Sequence, residues 1–186
     1  QLNCNVCNTG DIHINGQEGA NTMVLIDGLP IVSGLSTVYG LSGIPQSLVK
    51  QVEVIKGPAS TLYGSEAIGG VINLITKSPE TVKPFNIETF MSSWGELNID
   101  IGAKYKLKNS QGLIGVNYFN YSNPIDNNGD GFTDLTLQHR ISIFNKIKTK
   151  KNSVAFRYFY EDRWGGEMNW SSRFRGGDEV YGESIY

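Results

Sequence analysis

The chain has no run approaching the ~20 consecutive apolar residues that a membrane-spanning helix needs. It has no basic excess: 16 Lys and Arg stand against 18 Asp and Glu, for a formal charge of -2. That balance lacks the electrostatic footprint of nucleic-acid binding. Charged residues are only 18% of the 186, low for a soluble domain. The two histidines, His13 and His139, lie on separate elements, and no nucleophile–base pair or acid/base dyad stands out. The chain is therefore read as a non-enzyme. There is no Gly-Lys-Ser/Thr and no G-x-G-x-x-G ahead of a long helix, so its Gly-rich stretch is not read as a nucleotide cradle. No charged and apolar leader follows Gln1, so no signal peptide is recognised, and part of the N-terminus is expected to be missing.

Cysteine is also scarce. Cys4 and Cys7 form one C-x-x-C pair. A zinc ribbon needs a second pair. Three states stay open: a local disulfide in an oxidising compartment, a soft-metal contact with His13 and Met23 nearby in sequence, or free thiols.

What is abundant is Gly, at 22 residues, and aromatics, at 11%. In the first 80 residues these punctuate short apolar runs. Ile12 and Ile14 alternate with polar residues as a short strand over 11–15, and a turn follows at 16–19. The apolar run 23–26 ends in Asp27-Gly28, a strong turn signal. Residues 33–43 read as loop. Ile44-Pro45 suggests a brief helix with Pro at its first position. Val52, Val54 and Ile55 suit a strand, broken by Gly57-Pro58. One helical turn over 58–63 would stop at Gly64. Gly69-Gly70 permits close backbone approach, and 71–75 is another strand. On these residues alone, the simplest reading is a small α+β domain whose glycines serve turns.

The order of these residues carries more. Asp27, Gly28 and Pro30 follow the first strand. Val52, Glu53, Val54, Gly57, Pro58, Ser60, Tyr63 and Gly64 come next. Ala67, Gly69, Gly70, Ile72, Asn73, Ile75, Thr76 and Lys77 complete the set. This pattern, over about residues 11–77, resembles the plug domain of TonB-dependent outer-membrane receptors. The resemblance implies that 1–79 are the C-terminal part of a plug, with no counterpart of the TonB box that recruits the energy-coupling protein. It implies that a transmembrane β-barrel follows.

Residues 83–186 support that independently, through a period of two. From Leu97 to Leu107, odd positions are Leu, Ile, Ile, Ala, Tyr and Leu, while even positions are Asn98, Asp100, Gly102, Lys104 and Lys106. That ~11-residue length suits a tilted membrane strand. A strand over 85–94 precedes it through a two-residue hairpin at Gly95-Glu96. Strands follow at 112–121, with Ile114, Val116 and Tyr118 outward, and at 137–147, with Leu137, Ile141, Ile143 and Ile147 outward. A fifth at 153–163 turns Val154, Phe156, Tyr158 and Tyr160 outward and Arg157, Glu161 and Arg163 inward. Connections 108–111 and 148–152 are short, whereas 122–136 and 164–183 are long. Short periplasmic turns alternating with long extracellular loops are what outer-membrane barrels show. Trp94, Tyr105, Tyr118, Tyr121 and Trp164 fall near strand ends, where aromatic girdles belong. A soluble sandwich also alternates apolar and polar residues; the plug pattern favours the barrel.

The expected fold is thus a partial all-β membrane barrel of about five to six antiparallel strands, from a barrel of ~22, behind part of a small α+β plug. Five strands and the start of a sixth leave open edges, which lipid does not tolerate, so the chain is expected to belong to a longer protein.

One loop resembles a cation site. Asp126, Asn128, Asp130 and Asp134 occupy positions 1, 3, 5 and 9 of an EF-hand loop, with Gly131 at 6 and the Phe132 carbonyl at 7. Leu137 replaces the bidentate Glu at 12. Calcium at this extracellular loop and an ion-free Asn/Asp/Gly turn both remain open.

The expected function is TonB-dependent uptake of a scarce nutrient, such as a metal, metal chelate or cobalamin, across the bacterial outer membrane. No cofactor is required. The expected partners are a TonB-type periplasmic energy-coupling protein, outer-membrane lipid, and surface lipoprotein or envelope-complex components. The alternative is a non-transporting structural or adhesive component of an envelope complex.

Overall fold

The computed structural model describes residues 2–4, 9–10, 12, 14, 16, 21–31, 44–57 and 60–168. The 33–43 loop, Cys7, Pro58 and the end of the last long connection lie outside them. So do alternate residues of the 11–15 strand, of which Ile14 is described as buried and bridged.

Two short strands, β1 (Leu2–Cys4) and β2 (Thr9–Gly10), pair antiparallel at the start of the chain. A four-stranded sheet follows. It comprises β3 (Thr22–Ile26), β4 (Leu29–Pro30), β5 (Val49–Lys56) and β6 (Gly70–Thr76), in the order β4-β3-β6-β5. β3 and β6 run parallel and the other pairs antiparallel. Asp27 and Gly28 join β3 to β4, both with positive φ, at 51° and 81°. Two successive positive φ values suit the tight hairpin that Asp-Gly favours. The single-turn helix α1 (Ser60–Tyr63) stops at Gly64, whose φ is 88°. Gly70 sits with φ 150°, and a Cβ there would strike the Ile55 carbonyl. Leu25, Ala67 and Val71 form the core of this unit.

Five strands make the second sheet: β7 (Phe85–Met91), β8 (Leu97–Leu107), β9 (Ser110–Tyr121), β10 (Leu137–Lys148) and β11 (Ser153–Trp164). They form a meander in chain order, every neighbouring pair antiparallel. Among the described residues no helix is long and apolar enough to cross a membrane.

The two faces of this wall are inverted relative to a soluble sheet. Its polar face is the covered one: Asp100 is 2% exposed, Asn117 5% and Ser142 0%. Its apolar face is open: Ile87 is 54% exposed, Val154 68% and Phe156 64%. A sandwich in water buries apolar side chains and wets polar ones. A membrane barrel does the reverse, and that settles the choice left by the alternation.

The structure corrects several boundaries. β7 ends at Met91, and the connection to β8 is not a two-residue hairpin. The Ser92 N–H donates to the Glu96 carbonyl at 3.0 Å, and the Gly95 N–H to the Ser92 carbonyl at 3.1 Å. Gly95, with φ 90°, therefore fills the left-handed position that closes a three-residue loop. Ser110 and Gln111 pair with Leu107 and Lys106, leaving only Lys108 and Asn109 in the turn. Pro45 caps a 3₁₀ turn over Gln46–Leu48 from outside, with ψ 127°, rather than opening it. Tyr121 turns inward and is 3% exposed, so it does not belong to an outer girdle. Tyr118 and Tyr160 do face outward, each edge-on to the His139 ring between them.

An outward-facing mid-strand position is intolerant of charge. Ile143→Arg should destabilise the folded protein by about 2–4 kcal/mol, read from urea unfolding in lipid vesicles.

Candidate functional site

The residues singled out in the first 80 positions converge on polar contacts that hold the smaller sheet together. The Gly28 N–H donates to Asn73 Oδ1 at 3.0 Å, and Asn73 Nδ2 donates to Glu53 Oε2 at 3.0 Å. These contacts tie the β3–β4 turn to β6, and β6 to β5. Asp27 turns the other way. Its Oδ1 accepts from the Thr76 N–H at 2.8 Å, and its Oδ2 from Thr76 Oγ1 at 2.7 Å. Gly57 and Gly69 meet through an N–H···O bond of 3.2 Å. Tyr63 packs against the Leu25 cluster. Pro30 sits exposed in β4 opposite Leu25. Ser60 lies in α1, and its side chain is outside the described residues.

Asp27 also reaches the wall. Lys146, inward on β10, donates to Asp27 Oδ2 at 2.8 Å and to Thr76 Oγ1 at 2.8 Å. The two charged side chains are 13% and 24% exposed, so this pair is screened far less than a surface pair. At the edge, Lys148 lies 3.2 Å from Glu80. A hydrogen bond to its own backbone, and then Lys148, hold the Glu80 carboxyl below its ordinary value. That pair is exposed and contributes little.

The second contact is steric. Gly102 of β8 and Gly115 of β9 stand directly opposite each other on the inward face. The 3₁₀ corner sits on them: a Cβ at Gly115 would come within 2.8 Å of Pro45 Cγ, and one at Gly102 within 3.0 Å of Ser47 Oγ. Leu48, 0% exposed, then packs with Val82, Leu113 and Phe144, with Ile26 alongside. Burying such a side chain stabilises by roughly 1.5–3 kcal/mol. Lys77 holds the corner from behind, its Nζ 2.7 Å from the Ser47 carbonyl. The sequence reading missed Gly102 and Gly115 as a seat, although isolated glycines inside strands mark close backbone approach.

Beyond the corner, toward the long loops, the inward face is polar and aromatic. Arg140 lies over the Phe119 ring at 5.0 Å, and Arg157 over Phe159 at 5.1 Å. Asn117 donates to Asn98 and Asp100, each at 2.9 Å, and accepts from Arg140 Nε at 3.3 Å. Gln138 donates to Glu161 at 2.5 Å, and Glu161 also pairs with Arg163.

In the 122–136 loop, the side chains proposed for calcium cap backbone groups. Asp126 accepts from the N–H groups of Gly129 and Gly131, at 2.7 and 2.9 Å. Asn128 accepts from Asp130 N–H, and Asp130 from Phe132 N–H. Asp134 accepts from Asn127. Among the described residues no three His, Cys, Asp or Glu side chains gather to hold a metal. The loop is instead pinned to the next one: Phe132 bridges Glu167, and the Thr133 N–H donates to the Gly166 carbonyl at 2.9 Å. The Cys4 and Cys7 side chains lie outside the described residues.

Residues 3–71 match the family model described as the TonB-dependent receptor plug domain. Residues 3–71 are a TonB-dependent receptor plug domain, and the sheet after them has the fold of a receptor barrel wall. Solved structures share that fold. The siderophore receptor PiuA from Acinetobacter baumannii aligns with TM-score 0.59 and 20% identity, over 86% of this chain and 21% of its own. The ferric yersiniabactin uptake receptor FyuA from Yersinia pestis gives 0.56 and 21%, over 76% and 22%. The pyoverdine outer membrane receptor FpvA from Pseudomonas aeruginosa PAO1 gives 0.53 and 19%, over 82% and 22%. The chain spans about a fifth of the length of these receptors. The five-stranded sheet is thus barrel wall, and the protein resides in the bacterial outer membrane. The family model reaches further toward the N-terminus than the motif-based match over 11–77.

Two substitutions separate the ionic contact from the steric one. Lys146→Ala strands Asp27 and should destabilise plug seating by about 1–3 kcal/mol, read as greater protease sensitivity of the plug in membranes. Gly115→Leu overfills the seat, at a cost of about 1–3 kcal/mol, and should expose Leu48 to solvent. A thiol-reactive probe on Leu48→Cys in a Cys4→Ser, Cys7→Ser background, with and without Gly115→Leu, checks this.

Proposed function

We propose that the protein is a TonB-dependent transporter that takes up a scarce nutrient across the outer membrane, with a TonB-type periplasmic protein supplying the energy. The observation that carries this reading is the plug seated against the polar face of a lipid-exposed wall. A plug held by one part-buried ion pair, one exposed pair at the edge and one glycine seat blocks the lumen at rest, yet its contacts are few enough to be remodelled. For the cargo we propose an anionic metal chelate. Arg140 on Phe119 and Arg157 on Phe159 offer charge-assisted donors beside aromatic faces, a pairing suited to planar anionic groups. That the aligned receptors include siderophore and ferric-chelate receptors agrees with this choice.

Calcium at Asp126, Asn128, Asp130, Phe132 and Asp134 remains a proposal for stiffening the loop. A soft-metal or disulfide role for Cys4 and Cys7 remains one for the start of the plug.

Uptake of radiolabelled ferric chelates by cells expressing the full-length protein tests the reading. Accumulation should fall to background when the gene is deleted or an uncoupler collapses the inner-membrane gradient. Accumulation that survives the uncoupler would show a passive pore instead, and accumulation unchanged by the deletion a purely structural component.

A further inference from the structure

A continuous hydrogen-bonded path runs from the lumenal wall to the plug corner. Arg140 Nε donates to Asn117 Oδ1 at 3.3 Å, and Asn117 Nδ2 donates to Asp100 Oδ1 at 2.9 Å. Asp100 in turn accepts the backbone N–H of Gln46, the first residue of the 3₁₀ corner. Asp100 thus satisfies a donor that the turn leaves without an internal partner. The neighbouring Ser47 hydroxyl is buried and has no partner. Among the described contacts, polar attachment of the corner to the wall therefore falls to Asp100. The path is uneven. The Asn117–Asp100 link has an ordinary length of 2.9 Å, whereas the Arg140–Asn117 link, at 3.3 Å, is at the long limit for such a bond.

We infer that Asn117 and Asp100 are positioning residues that couple Arg140 to the seating of the 46–48 corner. The inference rests on the uptake reading for its purpose, since a negatively charged cargo group would compete with Asn117 for Arg140. Once Arg140 is drawn away, the Asn117 amide loses the partner of its oxygen and is held only through its nitrogen, which is then free to turn from Asp100 toward Asn98. Asp100 then loses the donor that Asn117 presents to it and the nearby positive charge of Arg140. A carboxylate so released no longer aims at the Gln46 N–H, and the corner is then held against the wall by packing alone, through Leu48 and the glycine seat. The weak link is thus the one open to the lumen, and its loss is felt at the plug.

Thiol labelling tests this without cargo. The full-length protein, with Cys4→Ser and Cys7→Ser, carries Ser47→Cys as a reporter, because Ser47 is 4% exposed and reacts with a maleimide only when the corner lifts. Arg140→Gln should raise the labelling rate in isolated outer membranes roughly 3-fold or more, as residues in one hydrogen-bond network do. In an Asn117→Ala background the same substitution should add nothing further. Asp100→Asn replaces Asn117→Ala as the background if the latter does not fold. An unchanged rate with Arg140→Gln, or the same increase in both backgrounds, would overturn the inference. The labelling needs neither cargo nor an energy source, so its failure is distinct from a failure of the uptake experiment.

Discussion

Two opposed glycines set the distance between the plug and the wall. At Gly102 and Gly115 the strands carry no side chain, and the Pro45–Leu48 corner approaches the bare backbone. Everything else in the interface is arranged around that approach. Leu48 reaches Leu113 and Phe144 only from this depth. Asp100 meets the Gln46 N–H only because the corner is that close. The constraint is one of excluded volume, and a polar contact cannot replace it.

The signature residues of the plug divide into two physical jobs. Gly28, Asn73 and Glu53 tie β3, β5 and β6 together within the plug. Asp27, Thr76 and Lys77 face the wall side, either meeting Lys146 or holding the corner. A single Asp-Gly turn therefore serves both. Its backbone closes a hairpin, its amide and its carboxylate both bond β6, and the carboxylate also meets the wall.

The wall was legible in the sequence because its information is local. Alternation with period two fixes strand, length and facing at once, and the inward and outward assignments at Ile143, Arg157 and Phe156 follow from it. Where reading by period fell short, geometry intervened. Gly95 closes a three-residue loop because the hydrogen bonds of Ser92 span it. Tyr121, near a strand end, turns inward because it lies in register with the inward set. The interface was not legible. Asp27 and Lys146 are 119 positions apart, and nothing in either local pattern names the other. The glycines were visible as interruptions, but what fills them is decided by a segment far away in the chain.

The continuous register of β7 to β11 has a consequence for how such a sequence can change over time. Adding or removing one residue in the tight Lys108 and Asn109 turn, or within a strand, exchanges the two faces of everything up to the next adjustable connection. Charges such as Arg140 and Lys146 would then meet lipid, and Ile141 and Ile143 the plug. The 122–136 connection, fastened to its neighbour through Thr133 and Gly166, can lengthen or shorten without altering any facing. Length variation among relatives should therefore gather on the side of the wall that meets the outside world, while the opposite rim stays fixed in length.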